Sequence, residues 1–278
     1  MKTVRTVKDL RGELAGRHGV GLVPTMGFLH EGHLSLIRRA RSECDVVVVS
    51  LFVNPKQFGE GEDLEAYPRD EARDAKLAEE CGADILFAPA LEAVYPDRFS
   101  TTVEVAGLTD VLCGEARPGH FGGVTTIVTK LLNMVGPEVA YFGQKDAQQA
   151  IVIRKLVRDL DMPVRIEICP TVRDADGLAL SSRNAYLSEG ERERALGLSR
   201  ALRAAEAAVA EGRIAADDVL AAAREQLQEA GIEPEYLELR SAQDLAPVER
   251  VNGSTLLAVA AQVGRARLID NTILTGDQ

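Results

Sequence analysis

The sequence predicts an α/β fold, namely a Rossmann-like parallel sheet with helices on both faces and a smaller C-terminal α+β domain. Through the first two thirds of the 278 residues, short apolar runs alternate with amphipathic stretches, as in repeated strand–helix units. Several runs lack polar alternation, which is typical of strands covered on both faces. After about residue 172 the order changes to two helical stretches followed by strand-like runs.

The elements of the first part are predicted from periodicity and end signals. The stretch over 34–41 places Leu34, Ile37 and Ala40 on one helix face. The stretch over 70–81 ends before Gly82, a typical residue after a helix. Strands are predicted over 20–23, 45–52, 84–88, 139–142 and 164–169, and helices over 34–41, 70–81, 124–134 and 147–159.

The C-terminal part is rich in Ala, Leu, Arg and Glu at helical spacing before its strand-like runs begin. Helices are predicted over 191–211 and 215–230, and strands over 235–240, 255–263 and 266–269. The turn-rich stretch over 174–177 predicts a boundary between a domain over 1–174 and one over 175–278. The alternative is that the C-terminal helices form an added layer on a single domain.

Composition excludes several classes of protein. Hydrophobic residues at 46% can form a sizeable core, and the net charge of −11 argues against a non-specific nucleic-acid binder. The four cysteines form no CxxC pair, so reduced thiols in a cytoplasmic protein are expected. The first ten residues carry no apolar signal segment, and the longest apolar run, about 46–53, is far below the ~20 residues that span a membrane.

The string PTMGFLHEGH over 24–33 follows a predicted strand and precedes a predicted helix. Gly27 and Gly32 let a ligand approach the backbone, and the first N–H groups of a helix attract anions. His30 and His33 are three residues apart, so a helical turn places them on one face, where they can stabilise charge on a phosphate. Two surface histidines in a loop are the alternative, and a zinc site is disfavoured because no third ligand is near in sequence.

The segment HEGH over 30–33 resembles the HxGH signature of the nucleotidyltransferases related to class I aminoacyl-tRNA synthetases. The longer string over 24–33 is similar to the ATP site of the pantothenate synthetases. This resemblance implies that His33 is the catalytic histidine. It also implies that the domain over 1–174 binds ATP and pantoate and that the domain over 175–278 acts as a lid.

The segment SLFVNPKQF over 50–58 ends a predicted strand. Its Asn54 and Gln57 are neutral donors and acceptors of the kind that recognise hydroxyls and carboxylates. For Asn54 alone, formation of an Asn-Pro turn is the simpler interpretation. The family resemblance implies that Gln57 contacts pantoate and that Asn54 lies near the same pocket.

The acidic segment EDLEAYPRD over 62–70 resembles the family segment that covers the pocket. Gly59 and Gly61 precede it and permit movement. A solvated acidic loop is the alternative, and we expect Tyr67 to be structural rather than catalytic. The glycine-rich segment RPGHFGG over 117–123 also matches the family, which makes Arg117 and His120 secondary site candidates.

The segment YFGQKDAQQ over 141–149 again follows a strand and opens a helix. Lys145 is a compact cation that can meet a phosphate, and Asp146 can accept from ribose hydroxyls. An exposed Lys-Asp pair at a helix start is more often a solvated cap. The resemblance implies that residues 143–146 bind ATP and that Gln149 binds pantoate.

The segment LSSRNAYLS over 180–188 offers two hydroxyls and a guanidinium, which can bind several phosphate oxygens together. The alternative is that these residues cap the following helix. The family has MSSRNxYL here, analogous to the mobile KMSKS loop of the synthetase relatives. Leu180 replaces the family's Met, an apolar change of similar volume that affects mainly the fine packing.

The matched segments keep the family's order from about residue 24 to residue 188, and together they imply a full set of site residues. The catalytic set is His30, His33, Lys145 and Arg183. The ATP-binding set is Met26, Gly27, Phe28, Leu29, His30, Glu31, Gly32, His33, Gly143, Gln144, Lys145, Asp146, Val172, Leu180, Ser181, Ser182 and Arg183. The pantoate and β-alanine set is Pro24, Thr25, Asn54, Gln57 and Gln149.

The resemblance implies condensation of pantoate with β-alanine through a pantoyl-adenylate, with ATP as co-substrate and Mg²⁺ assisting. It also implies a homodimer. No Mg²⁺ ligand set is evident, and Asp74 is a minor candidate. The alternatives are another nucleotidyltransferase of the same superfamily, which would lack the roles of Gln57 and Gln149, or a non-catalytic nucleotide sensor. An RNA-binding role is disfavoured by the acidic balance and by 4% aromatic residues.

Overall fold

The computed structural model describes residues 1–276 and divides them into two compact units. Unit 1 comprises Met1–Ala106, Arg117–Gly143 and Val152–Pro170. Unit 2 comprises the remaining segments, which are residues 107–116, 144–151 and those from Thr171 onward. The boundary between domains at 174/175 stays a prediction.

Unit 1 is built on a parallel sheet of six strands in the order β1-β4-β3-β2-β5-β6. The strands are β1 Lys2–Val4, β2 Val20–Thr25, β3 Val46–Leu51, β4 Ile85–Phe87, β5 Val139–Gly143 and β6 Arg165–Cys169. The parallel sheet predicted from the alternating apolar runs is therefore confirmed. Strand β1 was not expected, because three residues are too few to give a pattern.

The central strands are apolar on both faces, which is why they read as continuous hydrophobic runs. Strands β2 and β3 pair from Val20 with Val46 to Thr25 with Leu51, so their carboxyl ends lie level. The chain continues from β2 to β3 and β4 on one side and reaches β5 and β6 on the other. The reversal of strand order between β2 and β5 marks the edge where open α/β sheets bind ligands.

Helices surround this sheet. In unit 1 they are α1 Val7–Leu14, α2 Glu31–Glu43, α3 Glu71–Glu80, α4 Leu91–Val94, α6 His120–Val135 and most of α7 Ala147–Asp159. The short helix α5 Cys113–Ala116 belongs to unit 2. The predicted helices over 34–41, 70–81, 124–134 and 147–159 are confirmed, and α3 ends as expected before Gly82, whose φ is 93°. Helix α1 was not expected, since Leu10 is its one buried residue.

Unit 2 packs two long helices on a sheet of three antiparallel strands. The elements are α8 Glu189–Ala210, α9 Ala216–Glu229, β7 Pro234–Ser241, β8 Gly253–Val263 and β9 Ala266–Gly276. The core between them contains Leu198 and Leu202 of α8, Leu227 of α9, and Leu257 and Val259 of β8. The predicted α+β character is confirmed.

Strand β9 differs from its prediction. It was expected to end at residue 269, but it continues through the polar pair Asp270 and Asn271 to Gly276. Both side chains are buried. The strand therefore tolerates two residues of types that are depleted in strands.

Over residues 1–276, no helix combines the length and the apolar character that crossing a bilayer requires. The four cysteines, Cys44, Cys81, Cys113 and Cys169, are free thiols.

Candidate active site

The loop that carries the two histidines runs from the end of β2 to the start of α2. Gly27 and Phe28 both have positive φ angles, 90° and 50°. A Cβ at Gly27 would lie 2.9 Å from Leu51 Cδ1 and 3.1 Å from Asp74 Oδ2, so only glycine fits this turn without a shift of its neighbours. Thr25 secures the start of the loop by donating its hydroxyl to the carbonyl of Ser50 at 2.7 Å.

Asp74 of α3 holds the middle of this loop. Its carboxylate accepts the backbone N–H of Phe28 and that of Leu29, each at 2.7 Å, and the side chain is 1% exposed. Burial raises the pKa of Asp74, and the two amide donors and Arg73 oppose that effect. Arg73 adds a hydrogen bond to the carbonyl of Leu29 at 3.0 Å. The acid considered as a minor Mg²⁺ contact is thus engaged by the histidine loop.

His30 and His33 lie side by side at the start of α2, with ring centroids 4.1 Å apart. His30 Nδ1 accepts the N–H of Gly32 at 3.2 Å, and His33 Nδ1 accepts the N–H of His30 at 3.4 Å. A ring whose Nδ1 accepts an amide proton carries its own proton on Nε2 when neutral. Both imidazoles are therefore oriented as Nε2–H donors, the form that hydrogen-bonds a phosphate oxygen.

Gln57 lies beside the histidine loop. Its Nε2 is 2.8 Å from the sulfur of Met26, and its Oε1 accepts from Asn54 Nδ2 at 3.2 Å. Two segments separated by about 30 residues, predicted to bind the nucleotide and the hydroxy acid, are thus adjacent in unit 1.

Asn54 is 1% exposed, and its amide has several protein partners. Besides the bond to Gln57, its Nδ2 donates to the carbonyl of Gly123 at 3.1 Å, while its Oδ1 accepts from Lys56 N and from Tyr95 Oη. Because these partners fix the buried amide of Asn54, its bond to Gln57 Oε1 in turn orients the side chain of Gln57. A direct contact of Asn54 with substrate stays a prediction.

Arg117 and His120 of the glycine-rich segment contact the backbone of Gln57. The carbonyl of Gln57 accepts from His120 Nδ1 at 2.7 Å and from Arg117 at 3.2 Å. Because that carbonyl can only accept, His120 carries a proton on Nδ1, and its Nε2 lies 3.1 Å from Arg117. Arg117 also pairs with Glu62, and this pairing holds the pKa of Glu62 below its usual value.

The last glycine of this segment, Gly123, is required by close packing. A Cβ at Gly123 would overlap the carbonyl of Lys56 and lie 2.6 Å from the amide nitrogen of Gln57. Helix α6 therefore contacts the backbone of the Gln57 turn directly. In the adjoining acidic segment, Tyr67 is buried and packs edge-on against Phe58, with ring centroids 5.9 Å apart.

In unit 2, Lys145 lies in a single turn over Gln144–Asp146 at the start of α7. Its side chain is 20% exposed, and its ammonium lies 3.8 Å from Asp146 Oδ1, beyond hydrogen-bonding distance. Asn271 of β9 binds this turn by donating to the carbonyls of both Gln144 and Lys145. No motif of the sequence points to Asn271.

The serine-rich turn follows a tight hairpin. Arg173 and Ala179 form an antiparallel bridge, and Leu180 N donates to the carbonyl of Val172 at 3.0 Å. Ser181 then caps the next turn, its Oγ accepting from Arg183 N at 3.3 Å. One backbone hydrogen bond therefore links Val172 to the Leu180–Arg183 group, and the side chain of Ser181 closes the turn within that group.

Lys145 and Ser181 line one small pocket with a cavity volume of about 10 Å³, which is partly open to solvent. Asn184 and Asp270 add polar groups, and the Oδ1 atom of Asn184 is buried without a hydrogen-bond partner among residues 1–276. The lysine and serine segments, far apart in sequence, are thus brought together within unit 2. Leu178, Ala179, Leu198, Leu268 and Ile269 supply the apolar lining.

The neighbouring glutamines Gln148 and Gln149 differ in environment. Gln148 is buried and bonds to the carbonyls of Leu108 and Val111 and to the N–H of Cys113, all in unit 2. Gln149 is half-buried on the first turn of α7. The predicted substrate contact is therefore the more accessible of the two side chains.

The described residues contain no group of three or more His, Cys, Asp or Glu side chains arranged to hold a metal ion. Asp74, the one acid considered from sequence, has both oxygens bonded to amides of the histidine loop. A divalent ion at this site would depend mainly on ligands that a substrate brings.

Comparison with known proteins gives a consistent result over the whole chain. The sequence model of a family described as Pantoate-beta-alanine ligase matches residues 1–273. A pantothenate synthetase of Acetivibrio thermocellus is 50% identical over 279 residues, with 99% of each chain covered.

Two solved structures extend the comparison. A pantothenate synthetase of Thermus thermophilus has a TM-score of 0.96 and 48% identity, covering 99% of this chain and 100% of its own. A pantoate-beta-alanine ligase of Francisella tularensis, complexed with beta-gamma ATP and beta-alanine, has a TM-score of 0.82 and 34% identity, covering 98% and 97%.

Proposed function

Because the chain belongs to the pantoate–β-alanine ligase family, we propose that it condenses pantoate with β-alanine, converting ATP to AMP and pyrophosphate through a pantoyl-adenylate. The observation that carries this proposal is the contact between Gln57 and Met26. This contact places the amide of Gln57, a group suited to recognising a small hydroxy acid, beside the loop that carries His30 and His33. The imidazoles of these two histidines are the proposed donors to the phosphate.

In the first step, a carboxylate oxygen of pantoate attacks the α-phosphorus of ATP. The bond from that phosphorus to the bridging oxygen breaks, and pyrophosphate leaves. In the second step, the amine of β-alanine attacks the carbonyl carbon of the mixed anhydride, loses a proton, and expels AMP. Holding the two acids in one pocket accelerates these steps mainly through positioning, and exclusion of water protects the anhydride.

The histidines supply the transition-state contacts of the first step in this proposal. Their Nδ1 atoms accept amide protons at the start of α2, which supports assigning the Nε2–H groups as the donors to the α-phosphate. The α-phosphate gains negative charge on its oxygens as pyrophosphate departs, and prepositioned N–H donors stabilise that charge. His33 is assigned the larger role by family resemblance, with His30 supporting it.

Lys145, Ser181, Ser182 and Arg183 are proposed to bind phosphate oxygens, and Asp146 to accept from the ribose. Support comes from the pocket that Lys145 shares with Ser181 and from the low exposure of the lysine side chain. A partly buried ammonium interacts more strongly with a phosphate than a solvated one does. Gln57 and Gln149 are assigned to pantoate, and Val172 to the nucleoside.

Mg²⁺ is proposed to enter with ATP, because phosphate oxygens can supply most of its ligands and few protein groups are then needed. Bound in this way, the ion would neutralise part of the pyrophosphate charge. We further propose that the enzyme is cytoplasmic, from its cysteine usage, and a homodimer, from the family resemblance. Sedimentation of the purified chain tests the dimer.

The test of function mixes the purified chain with ATP, Mg²⁺, pantoate and β-alanine and measures AMP. Multiple-turnover AMP formation should require both acids. Pantoate alone should support exchange of labelled pyrophosphate into ATP, because the first step is reversible while the adenylate stays bound. ATP binding without turnover would indicate a nucleotide sensor. Pyrophosphate exchange at the same rate with and without pantoate would indicate a different nucleotidyltransferase.

A further inference from the structure

We infer that Asp270 and Asn271, adjacent residues in strand β9, are positioning residues that hold Lys145 and the turn after Leu180 in place for phosphate binding. This inference rests on the function proposed above. Both residues lie in unit 2, as do the segments that they bind. Neither falls in a segment for which sequence analysis found a role.

Asn271 binds the turn of Lys145 at three points. Its Nδ2 donates to the carbonyl of Gln144 at 3.0 Å and to that of Lys145 at 2.9 Å, and its Oδ1 accepts from Gln144 Nε2 at 2.9 Å. Because carbonyl oxygens only accept, they determine which end of the amide faces them. The side chain is 5% exposed, so these bonds form out of contact with bulk water.

Asp270 binds the hairpin that precedes the serine turn. Its carboxylate accepts from both terminal nitrogens of Arg173, at 2.6 and 2.9 Å, and Oδ1 also accepts the N–H of Asn271 at 2.8 Å. Arg173 in turn donates to the carbonyl of Gly177 at 3.2 Å. The guanidinium thus connects the hairpin turn to β9 by a two-pronged ion pair, the geometry that best fixes orientation.

Consecutive residues of one strand therefore anchor the two phosphate-directed segments. Lys145 has a long flexible side chain, and fixing its backbone carbonyl reduces the volume that its ammonium can sample. Sub-ångström placement matters because a displacement of about 1 Å at a reacting centre can cost roughly 10²-fold in rate. A strand in a packed sheet supplies the rigidity that a surface turn lacks.

The variant Asn271→Asp tests this inference with little change of shape. The new side chain can still accept from Gln144 Nε2, but it places a carboxylate oxygen against the carbonyls that Nδ2 had bonded. We expect kcat/KM for ATP in pantoate-dependent pyrophosphate exchange to fall by roughly 10²-fold, with the KM of pantoate at saturating ATP changed less. Activity relative to wild type should rise as the pH falls, because a protonated carboxyl can again donate to one carbonyl.

The control Thr275→Ala changes an exposed residue of the same strand and should match wild type. If Asn271→Asp does not fold, Asn271→Ser retains one donor. Its kcat/KM for ATP should fall by roughly fivefold, since one hydrogen bond contributes about 1 kcal/mol and 1.36 kcal/mol corresponds to a factor of ten. A folded variant with wild-type kcat/KM overturns the inference. The inference is also overturned if the variant loses activity only in proportion to a lower melting temperature, while its KM for ATP is unchanged and its activity does not recover at low pH.

The two proposals fail separately. Lack of pantoate-dependent exchange in the wild-type chain contradicts the proposed function itself. If the wild-type chain is active and the folded Asn271→Asp variant is equally active, only the positioning role of Asp270 and Asn271 is contradicted.

Discussion

Replacing Asp74 by Asn should disable the histidine loop while leaving the fold of unit 1 in place. The carboxylate accepts two backbone N–H groups at 2.7 Å, one on each oxygen. Asn retains one acceptor and turns an NH₂ group toward the other amide. One bond is therefore lost outright, the remaining bond is no longer assisted by a charge, and a buried N–H is left without a partner. Phe28, which has a positive φ and donates its N–H to Asp74, is then less restrained.

The size of the effect follows from that bond. Hydrogen bonds to charged groups contribute about 1.5–3 kcal/mol each, so the loop should lose about 2 kcal/mol of its preference for the observed conformation. At 1.36 kcal/mol per tenfold, this corresponds to roughly a 30-fold fall in kcat/KM for ATP. The assay is pantoate-dependent exchange of pyrophosphate into ATP, with a thermal melt to confirm that the variant is folded.

Asp70→Asn is the matched control. Asp70 lies one turn earlier and caps α3 through a bond from Arg73 N at 3.0 Å, a role that Asn fills equally well. It should retain activity close to that of wild type. A folded Asp74→Asn variant with kcat/KM within threefold of wild type would show that Asp74 does not hold the loop in its working conformation.

Three further changes give distinct expected results. His33→Ala should fold, since His33 is half-buried in the first turn of α2 and Ala favours a helix, yet it should lose roughly 10²–10³-fold in kcat for adenylation. Near-normal pyrophosphate exchange would refute the role of His33. Gly123→Ala should raise the KM of pantoate and lower the melting temperature, because the new Cβ would overlap the carbonyl of Lys56. An unchanged KM and an unchanged melting temperature would contradict this close packing. Glu62→Gln should be less stable than wild type above the ordinary carboxyl pKa of 4.5, since Arg117 lowers the pKa of Glu62 in the folded state. The difference in stability between the variant and wild type should disappear as the pH falls below 4.5, and thermal melts at several pH values measure it. A stability difference that persists in acid would contradict the ion pair between Glu62 and Arg117.

The parallel sheet was predictable because its strands are covered on both faces. Val46–Leu51, for example, is buried along almost its whole length, and so appears in the sequence as an unbroken apolar run. The histidine loop was predictable for a related reason. Its glycines and histidines lie between a strand and a helix, and that position alone brings them to the ligand-binding edge.

Strand β9 shows where such reasoning stops. Asp270 and Asn271 are depleted in strands, so the predicted strand ended before them. The structure continues through them because both side chains are satisfied by Arg173 and by the turn of Lys145. A buried polar pair inside an otherwise apolar strand is itself a signal, since such residues need specific partners.

The role of Asp74 could not be predicted from sequence. An acid in the first turn of a helix is most often there to interact with the helix's own N–H groups. Its actual partners, Phe28 and Leu29, lie about 45 residues earlier in the chain. Only the packing of α3 beside the loop reveals that contact.

The most direct test of the proposed chemistry follows an oxygen atom. Pantoate labelled with ¹⁸O in its carboxylate is incubated with the enzyme, ATP, Mg²⁺ and β-alanine, and the AMP is analysed by mass spectrometry. If the carboxylate attacks the α-phosphorus, each AMP carries one ¹⁸O atom from pantoate. Unlabelled AMP formed at the same rate as pantothenate would contradict the adenylate and, with it, the role assigned to the paired histidines.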